Sequence, residues 1–515
     1  MFKTRFFFYF ISFLEGASVM TAELLGAKMM APYFGSSLYV WASVLGITLS
    51  GLALGYFTGG WVSKNKNHEK NLYIILLASA VFLILMPLTS KEVMLHTSSF
   101  PFLISILLSS VVFLFPPVFF MGMVSPLMVQ CCANGNSDSE NHSGEAAGTV
   151  FAISTLGGII STFLSGFYLI PEFGLTRPAV GMGCLLGLIP FVKLITAKKF
   201  FSLIFPFAMI LSFNSAFQLP YGSSDVRILY SDEGLLGQII VADYPLYEGN
   251  RPVVGFQRIL FVNRSTQTVV IYKQGKKEPF EYVNRIADKC IHAINKSPAL
   301  VLGLGGGSVA NVLVVKGYHV DAVELDERMA DCAKNYFSLD EKVNVNIDDA
   351  RHYVRFQTSS LKPQISVIVL DAFVGEVNPH HLFTKEFFSQ VKALLSDTGT
   401  FFINGNGFWS GNAGKGMRSV CKTLLASGFD VELLPTHEPE EYRNLLFVCK
   451  KSKNENGALI SKDVKPLDLS EDIILTDEKP LLEILNAEAN RRWREGCMKY
   501  FLSGYYSGQD RLFFK

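Results

Sequence analysis

The sequence predicts an all-α membrane half of several spans followed by an α/β half: a largely parallel, doubly wound sheet preceded by a small β-rich subdomain. Three observations predict it. Residues 1–220 are almost continuously apolar, whereas 221–515 have the mixed composition of a soluble protein. Within 299–450, short apolar runs alternate with helical patterns, as parallel strands joined by crossover helices require. The first of those junctions, Gly303-Leu-Gly-Gly-Gly307, is a glycine-rich turn. The expected divisions are 1–220 for the membrane domain, 221–297 for the β-rich subdomain, 298–450 for the doubly wound domain and 451–515 for a C-terminal extension. A chain of 515 residues has room for them.

Bulk composition excludes some classes. The net charge is +1 and no basic stripe with interleaved aromatics occurs, so no nucleic-acid partner is expected. Eight cysteines are scattered without CxxC spacing, and Cys131 and Cys132 are neighbours, a poor geometry for a disulfide. Free thiols in a reducing setting are the expectation, and no metal site.

In the first half, apolar stretches fall at 6–32, 38–61, 72–90, 101–129, 147–170, 178–197 and 200–219, which gives seven spans. Crossing the hydrocarbon core takes about 20 apolar residues. The first stretch is too long for a signal peptide alone. Pro116, Pro117 and Pro126 predict a kink or a partial re-entry in the fourth. Lys3, Arg5, Lys64, Lys66, Lys70, Lys193, Lys198 and Lys199 share one face, with Lys91 and Arg177 opposite, so the N-terminus is expected in the cytoplasm. Seven spans would then put the second half outside, away from cytosolic nucleosides. Glu15, Glu23 and Lys28 lie inside the first span, where ionisable groups pair or face a polar cavity. A Glu23–Lys28 contact, a snorkelling Lys28, and a substrate or proton path are the alternatives. The runs Gly51-Leu-Ala-Leu-Gly55 and Gly157-Gly158 predict close helix packing.

In the second half, residues 225–297 read as short strands and turns followed by a helix over 281–294. The strand ALVLG precedes the glycine turn, where glycine lets the backbone bend tightly and approach a ligand. The second strand ends at Glu324, placed to accept hydrogen bonds from both hydroxyls of a ribose. The third ends before Asp349-Ala350, where a carboxylate can meet an adenine amino group. The fourth, ISVIVLD, ends at Asp371, a base or an anchor for a cation. Helix capping is the structural alternative for each acid. A helix near 383–396, a strand at 399–405, a helix near 415–426 and strands near 429–434 and 443–449 follow. The tail turns helical around 479–502, with no chemistry assigned to it. Ligands of such sheets bind beyond the carboxyl ends of the strands, so these tips should converge.

On these residues the second half resembles spermidine synthase, the aminopropyltransferase family. The glycine turn, the acid-ended second strand, Asp349-Ala-Arg351, the V-I-V-L-D-A-F strand end, L-F-T-K-E-F-F (382–388) and a T-G-T-F turn occur in the family's order. The first half resembles the multi-span domain fused to such synthases in bacteria, through F-G-S-S-L-Y, G-L-A-L-G, F-M-G-M-V-S-P-L and L-I-P-E-F-G-L, with I-L-T-D (474–477) near the end. The resemblance implies a Rossmann-like fold of the S-adenosylmethionine-dependent transferase type and a multi-pass protein of the cell membrane. It implies decarboxylated S-adenosylmethionine as co-substrate, with Glu324 on the ribose and Asp349-Ala350 on the adenine. Gly305, Gly307 and Ser308 would shape the pocket, Gln238 and Gln267 would reach it from the β-rich region, and Asp371 would deprotonate the attacking amine. Tyr282 and Glu376 are the candidates for the acceptor amine. A small-molecule amine and the bilayer are the implied partners, with self-association left open.

Three positions depart from the family pattern. Ser308 stands where the family has aspartate, Val374 replaces the second acid of its Asp-x-x-Asp, and Tyr282-Val283-Asn284 replaces Tyr-His-Glu. Losing one charged hydrogen bond typically costs about 1.5–3 kcal/mol, so ordinary putrescine recognition is not expected unless another acid compensates. A serine at 308 would not repel the carboxylate of intact S-adenosylmethionine. Three readings follow: aminopropyl transfer, methyl or aminocarboxypropyl transfer from intact S-adenosylmethionine, and a polyamine transporter or sensor with a non-catalytic nucleoside domain.

Overall fold

The computed structural model describes residues 2–35, 38–65, 67–97, 100–133, 143–216, 226–234, 236–248, 251–290, 292–293, 297–360, 365–454, 457–460 and 468–503. The division expected at 220/221, Lys66, the end of the 200–219 stretch, and residues 291 and 294 of the expected 281–294 helix lie outside them. The chain forms two compact units, Met1–Pro220 with Asp232–Gly237, and Tyr221–Ser231 with Gln238–Lys515.

The first unit is helical: α1 (Phe2–Phe34), α2 (Leu38–Val62), α3 (His68–Thr97), α4 (Phe102–Phe113), α5 (Phe115–Ala133), α6 (Ser143–Leu164), α7 (Ile170–Phe173), α8 (Thr176–Thr196) and α9 (Ile204–Ala216). A wide π-turn, Ser165–Leu169, joins α6 to α7. Among the described residues, six helical segments are long and apolar enough to cross a bilayer, one fewer than the sequence predicts. The difference is the 200–219 stretch, since the 101–129 stretch keeps a spanning segment in α5. The 101–129 stretch breaks at Leu114, just ahead of Pro116 and Pro117, which fit the first turn of α5 because no partner for their missing N–H is needed there. As far as Ala216, where its described part ends, the 200–219 stretch forms a 3₁₀ turn and α9. At 1.5 Å per residue, helices of 12 and 13 residues reach about 18–20 Å, short of a hydrocarbon core of about 30 Å.

Close approach holds the bundle together. A Cβ on Gly157 would lie 2.1 Å from the Phe13 carbonyl oxygen, and one on Gly55 would lie 2.5 Å from that of Phe119, so α1/α6 and α2/α5 pack backbone to backbone. Glu15 is buried in this interior, with the Ser154 hydroxyl donating to its Oε2 at 2.9 Å and that of Ser125 at 3.5 Å. Glu23 and Lys28 form no ion pair with each other among the described residues.

The second unit opens with an antiparallel sheet in the order β1 (Arg227–Gly234), β2 (Gly237–Glu248), β3 (Arg251–Val262), β4 (Ser265–Lys273) and β5 (Lys276–Pro279). Helix α10 (Glu281–Lys289) follows. A seven-stranded sheet comes next, built from β6 (Pro298–Leu302), α11 (Ser308–Val315), β7 (His319–Glu324), α12 (Glu327–Phe337), β8 (Asn344–Ile347), α13 (Ala350–Ser360) and β9 (Ile365–Leu370). It continues through α14 (Lys385–Leu394), β10 (Leu395–Asn406), α15 (Lys415–Ala426), β11 (Phe429–Pro435) and β12 (Asn444–Lys451). Its spatial order is β11-β12-β10-β9-β6-β7-β8, parallel except for the antiparallel β12. This is the expected doubly wound, Rossmann-like architecture, and the chain reverses direction of growth between β6 and β9.

Alternating residues of each strand feed opposite cores. Leu300, Leu302, Ile368, Leu370, Phe401 and Ile403 pack with α13–α15, while Val301, Val320, Val367, Val369 and Phe402 pack with α10–α12. Met329, Cys332 and Phe337 of α12 bury themselves against Ile239, Val241 and Leu260 of the small sheet, fixing it against that helix. The tail contributes α16 (Leu482–Leu485) and α17 (Ala487–Ser503), whose Ala489, Trp493 and Cys497 are buried.

Candidate active site

The crevice beyond β6 and β9 is where such a sheet binds ligands, and the glycine turn forms its floor. Gly305 (φ +52°) and Gly307 (φ +77°) hold left-handed conformations that other residues resist. The Gly306 N–H donates to the Thr268 hydroxyl at 2.8 Å, tying β4 of the small sheet to the turn. A Cβ on Gly303 would meet the Asp371 carbonyl oxygen at 2.3 Å, so the turn and the end of β9 touch through their backbones. Ser308 begins α11 directly after the turn.

Glu324, at the tip of β7, is partly buried. Its Oε1 accepts from the backbone N–H groups of Leu325 (2.8 Å) and Asp326 (3.1 Å), and its Oε2 from that of Leu304 (3.0 Å). Burial pushes its carboxyl above the usual range, while the Asp326, Leu304 and Gly305 amides pull it down.

Asp349 caps α13: its Oδ1 accepts from the N–H groups of Arg351 (3.0 Å) and His352 (2.9 Å). Its other oxygen faces Nε2 of His381 at 3.2 Å. Ala350 opens the helix and is buried. Arg351 donates to the His381 carbonyl oxygen and pairs with Asp477, so the I-L-T-D segment braces this corner.

Asp371 follows β9. The Tyr282 hydroxyl donates to its Oδ2 at 2.7 Å and the Asn404 amide to its Oδ1 at 2.8 Å; Asn444 in turn donates to Asn404 at 3.0 Å. Burial raises the Asp371 carboxyl, and the bonds from Asn404 and Tyr282 oppose the rise. Tyr282 is itself pushed well above the ordinary phenol range by burial and by the Asp371 charge, so it stays protonated as a donor.

The remaining candidates are placed differently from expectation. Glu376, considered for the acceptor amine, is buried in an ion pair with Arg494 of α17 and is not an open anion. Tyr282, also assigned to the acceptor, directs its hydroxyl to Asp371. The Gln267 amide donates to the Gly375 carbonyl oxygen at 2.6 Å, in the loop after Asp371. The Gln238 backbone N–H donates to Asn263, and its side-chain oxygen is buried without a partner. Sequence reasoning missed Asn404, His381 and Arg494. A polar residue inside the apolar run F-F-I-N could have flagged Asn404; Arg494 lies in a charged helix that reads as surface.

Residues 280–460 match the family model described as the spermine/spermidine synthase domain, so the C-terminal region carries that domain. The matched region takes in Tyr282, the glycine turn, Glu324, Asp349, Asp371 and Asn404. A polyamine aminopropyltransferase of Vibrio vulnificus is 29% identical over 249 residues, covering 46% of this chain and 72% of that protein. An N-terminal histidine N-methyltransferase of Emericella nidulans is 34% identical over 184 residues, 33% of this chain but only 31% of that protein. The crystal structure of a probable spermidine synthase from Corynebacterium glutamicum is similar at 18% identity and a TM-score of 0.34, over 45% of this chain and 81% of that one.

Proposed function

We propose that the protein is a multi-pass membrane transferase that moves an aminopropyl group from decarboxylated S-adenosylmethionine to a small-molecule amine. The observation that carries the reading is Asp371: a carboxylate held by Tyr282 and Asn404 at a strand tip in backbone contact with the glycine turn. The synthase-domain match and the Vibrio relative support the same reaction class.

In this reading Glu324 takes the ribose hydroxyls, Asp349 and Ala350 meet the adenine edge, and the turn at Gly305–Ser308 lies along the sulfonium side chain. An acceptor arrives as an ammonium and has no lone pair. Asp371 removes the proton, the amine nitrogen attacks the carbon next to sulfur, and the carbon–sulfur bond breaks with its electrons going to the sulfonium. The products are the alkylated ammonium, a neutral thioether and a protonated Asp371, so atoms and charge balance. Placing nitrogen and carbon in line supplies most of the acceleration, and the positioned base contributes about 10²–10⁴-fold.

Ser308 favours a second reading. It opens α11, where a helix N-terminus attracts an anion, so the carboxylate of intact S-adenosylmethionine is tolerated there and methyl or aminocarboxypropyl transfer becomes available. The Emericella methyltransferase supports it. Mass spectrometry of products from purified protein, each sulfonium compound and a panel of amines tests both. A propylamine adduct carries the first reading; methylated or aminocarboxypropylated product overturns it in favour of the second.

The six apolar segments, long enough to cross a bilayer, support a location in the cell membrane. With the N-terminus cytoplasmic, six crossings return the chain to the cytoplasm, which removes the conflict that seven spans would create. A reporter fused at the C-terminus tests this.

A further inference from the structure

The loop that follows Asp371 contains two acids, Asp371 and Glu376, and both are engaged by the protein's own donors. Tyr282 and Asn404 occupy one oxygen each of Asp371. Arg494, reaching in from α17, pairs with Glu376 and donates to the Asn263 carbonyl oxygen at 3.1 Å; Glu376 and Arg494 are only 5% and 4% exposed. A Cβ on Gly375 would stand 3.2 Å from the same guanidinium. Val374, where a second free acid would stand, is 38% exposed. One polar group of the loop remains unengaged: both amide atoms of Asn378 are buried without a partner, at 2% exposure.

These facts bear on what lies at the far end of the acceptor. A second ammonium buried here would need an anion, because an unpaired buried charge is costly. Glu376 is already neutralised by Arg494, so the buried pair offers a second ammonium no net negative charge. An unpaired buried amide has the opposite preference. It offers one donor group and one acceptor, which suit a hydroxyl or an amide.

Resting on the transferase reading above, we propose that this loop selects an acceptor whose reacting amine is accompanied by a neutral hydrogen-bonding group, not a second ammonium. Arg494 and Asn378 are the specificity-determining residues: Arg494 cancels the carboxylate a diamine would use, and Asn378 binds the neutral end.

The test is calorimetric titration of the detergent-solubilised full chain, loaded with S-adenosylmethionine or its decarboxylated form, with putrescine and with the amino alcohol in which a hydroxyl replaces one amine. The amino alcohol should bind at least tenfold more tightly. Asn378→Leu should abolish that preference, and Arg494→Gln, which releases Glu376, should shift it at least tenfold toward putrescine. Should Arg494→Gln fail to fold, the double variant Glu376→Met with Arg494→Met replaces the pair by apolar volume and should keep the native preference. Tighter binding of putrescine, equal binding, binding of neither amine, or a preference unmoved by Asn378→Leu overturns the proposal. The transferase reading fails separately, if neither sulfonium compound binds or if no product forms with any amine.

Discussion

The Tyr282 hydroxyl lies 2.7 Å from Oδ2 of Asp371, joining the first turn of α10 to the end of β9 across 89 positions of sequence. The bond does two things at once: it fixes the rotamer of the carboxylate and holds its proton affinity down against burial. Asn404 does the same from the opposite side.

Tyr282→Phe removes the donor and leaves the ring. Because the lost bond lowers the Asp371 carboxyl, its removal raises it further. A base works only when ionised, so the acidic limb of the pH–rate profile should move to higher pH and kcat near neutrality should fall about tenfold, as loss of about 1.5 kcal/mol implies. An unshifted limb would separate Tyr282 from the proton transfer.

Asp371→Asn should lower kcat by about 10²-fold or more while leaving the affinity for the adenosyl sulfonium within a few-fold. Calorimetry alongside turnover separates the two effects. Full turnover in this variant removes the base assignment.

Glu324→Gln keeps the shape but not the charge at the tip of β7. Losing a charged hydrogen bond to a diol should weaken adenosyl sulfonium binding by about 10–100-fold, corresponding to about 1.5–3 kcal/mol. Equilibrium binding measures it, and an unchanged Kd would make Glu324 a purely local brace for the Leu304, Leu325 and Asp326 amides.

Arg494→Met alone leaves Glu376 buried and unpaired and should cost about 3–5 kcal/mol, whereas the double change with Glu376→Met should be close to neutral. Denaturation of the single and double variants gives the coupling directly. Additive losses would show that the pair is screened.

Gly157→Leu puts a side chain where even a Cβ would lie 2.1 Å from the Phe13 carbonyl oxygen. The α1/α6 crossing must open, and the melting temperature in detergent should fall by several degrees. Gly144→Leu, whose Cβ position meets nothing within 4 Å, is the control and should be silent.

The sheet and the glycine turn were readable in sequence because their signals are local. Apolar runs of strand length such as ALVL and ISVIVL, each closed by glycine or an acid, mark strand and tip within a few residues. Tyr282, Glu324, Asp349 and Asp371 were marked by the same short-range logic and by family order. What was not readable joins distant positions. Asn404 meets Asp371 only because β10 lies beside β9, and Arg494 meets Glu376 only because α17 folds back. Among the described residues the seventh stretch is not one spanning helix, because apolar composition does not say where a helix starts; the 3₁₀ turn at Phe200–Leu203 delays α9 to Ile204.

The pairing of Arg494 with Glu376 also sets an order of events during synthesis. The ribosome releases Glu376 118 codons before its guanidinium partner, so the nascent sheet carries an unpaired carboxylate until α17 emerges. Premature stops upstream of that helix would thus yield chains with an intact nucleotide fold, yet with a carboxylate stranded in its interior.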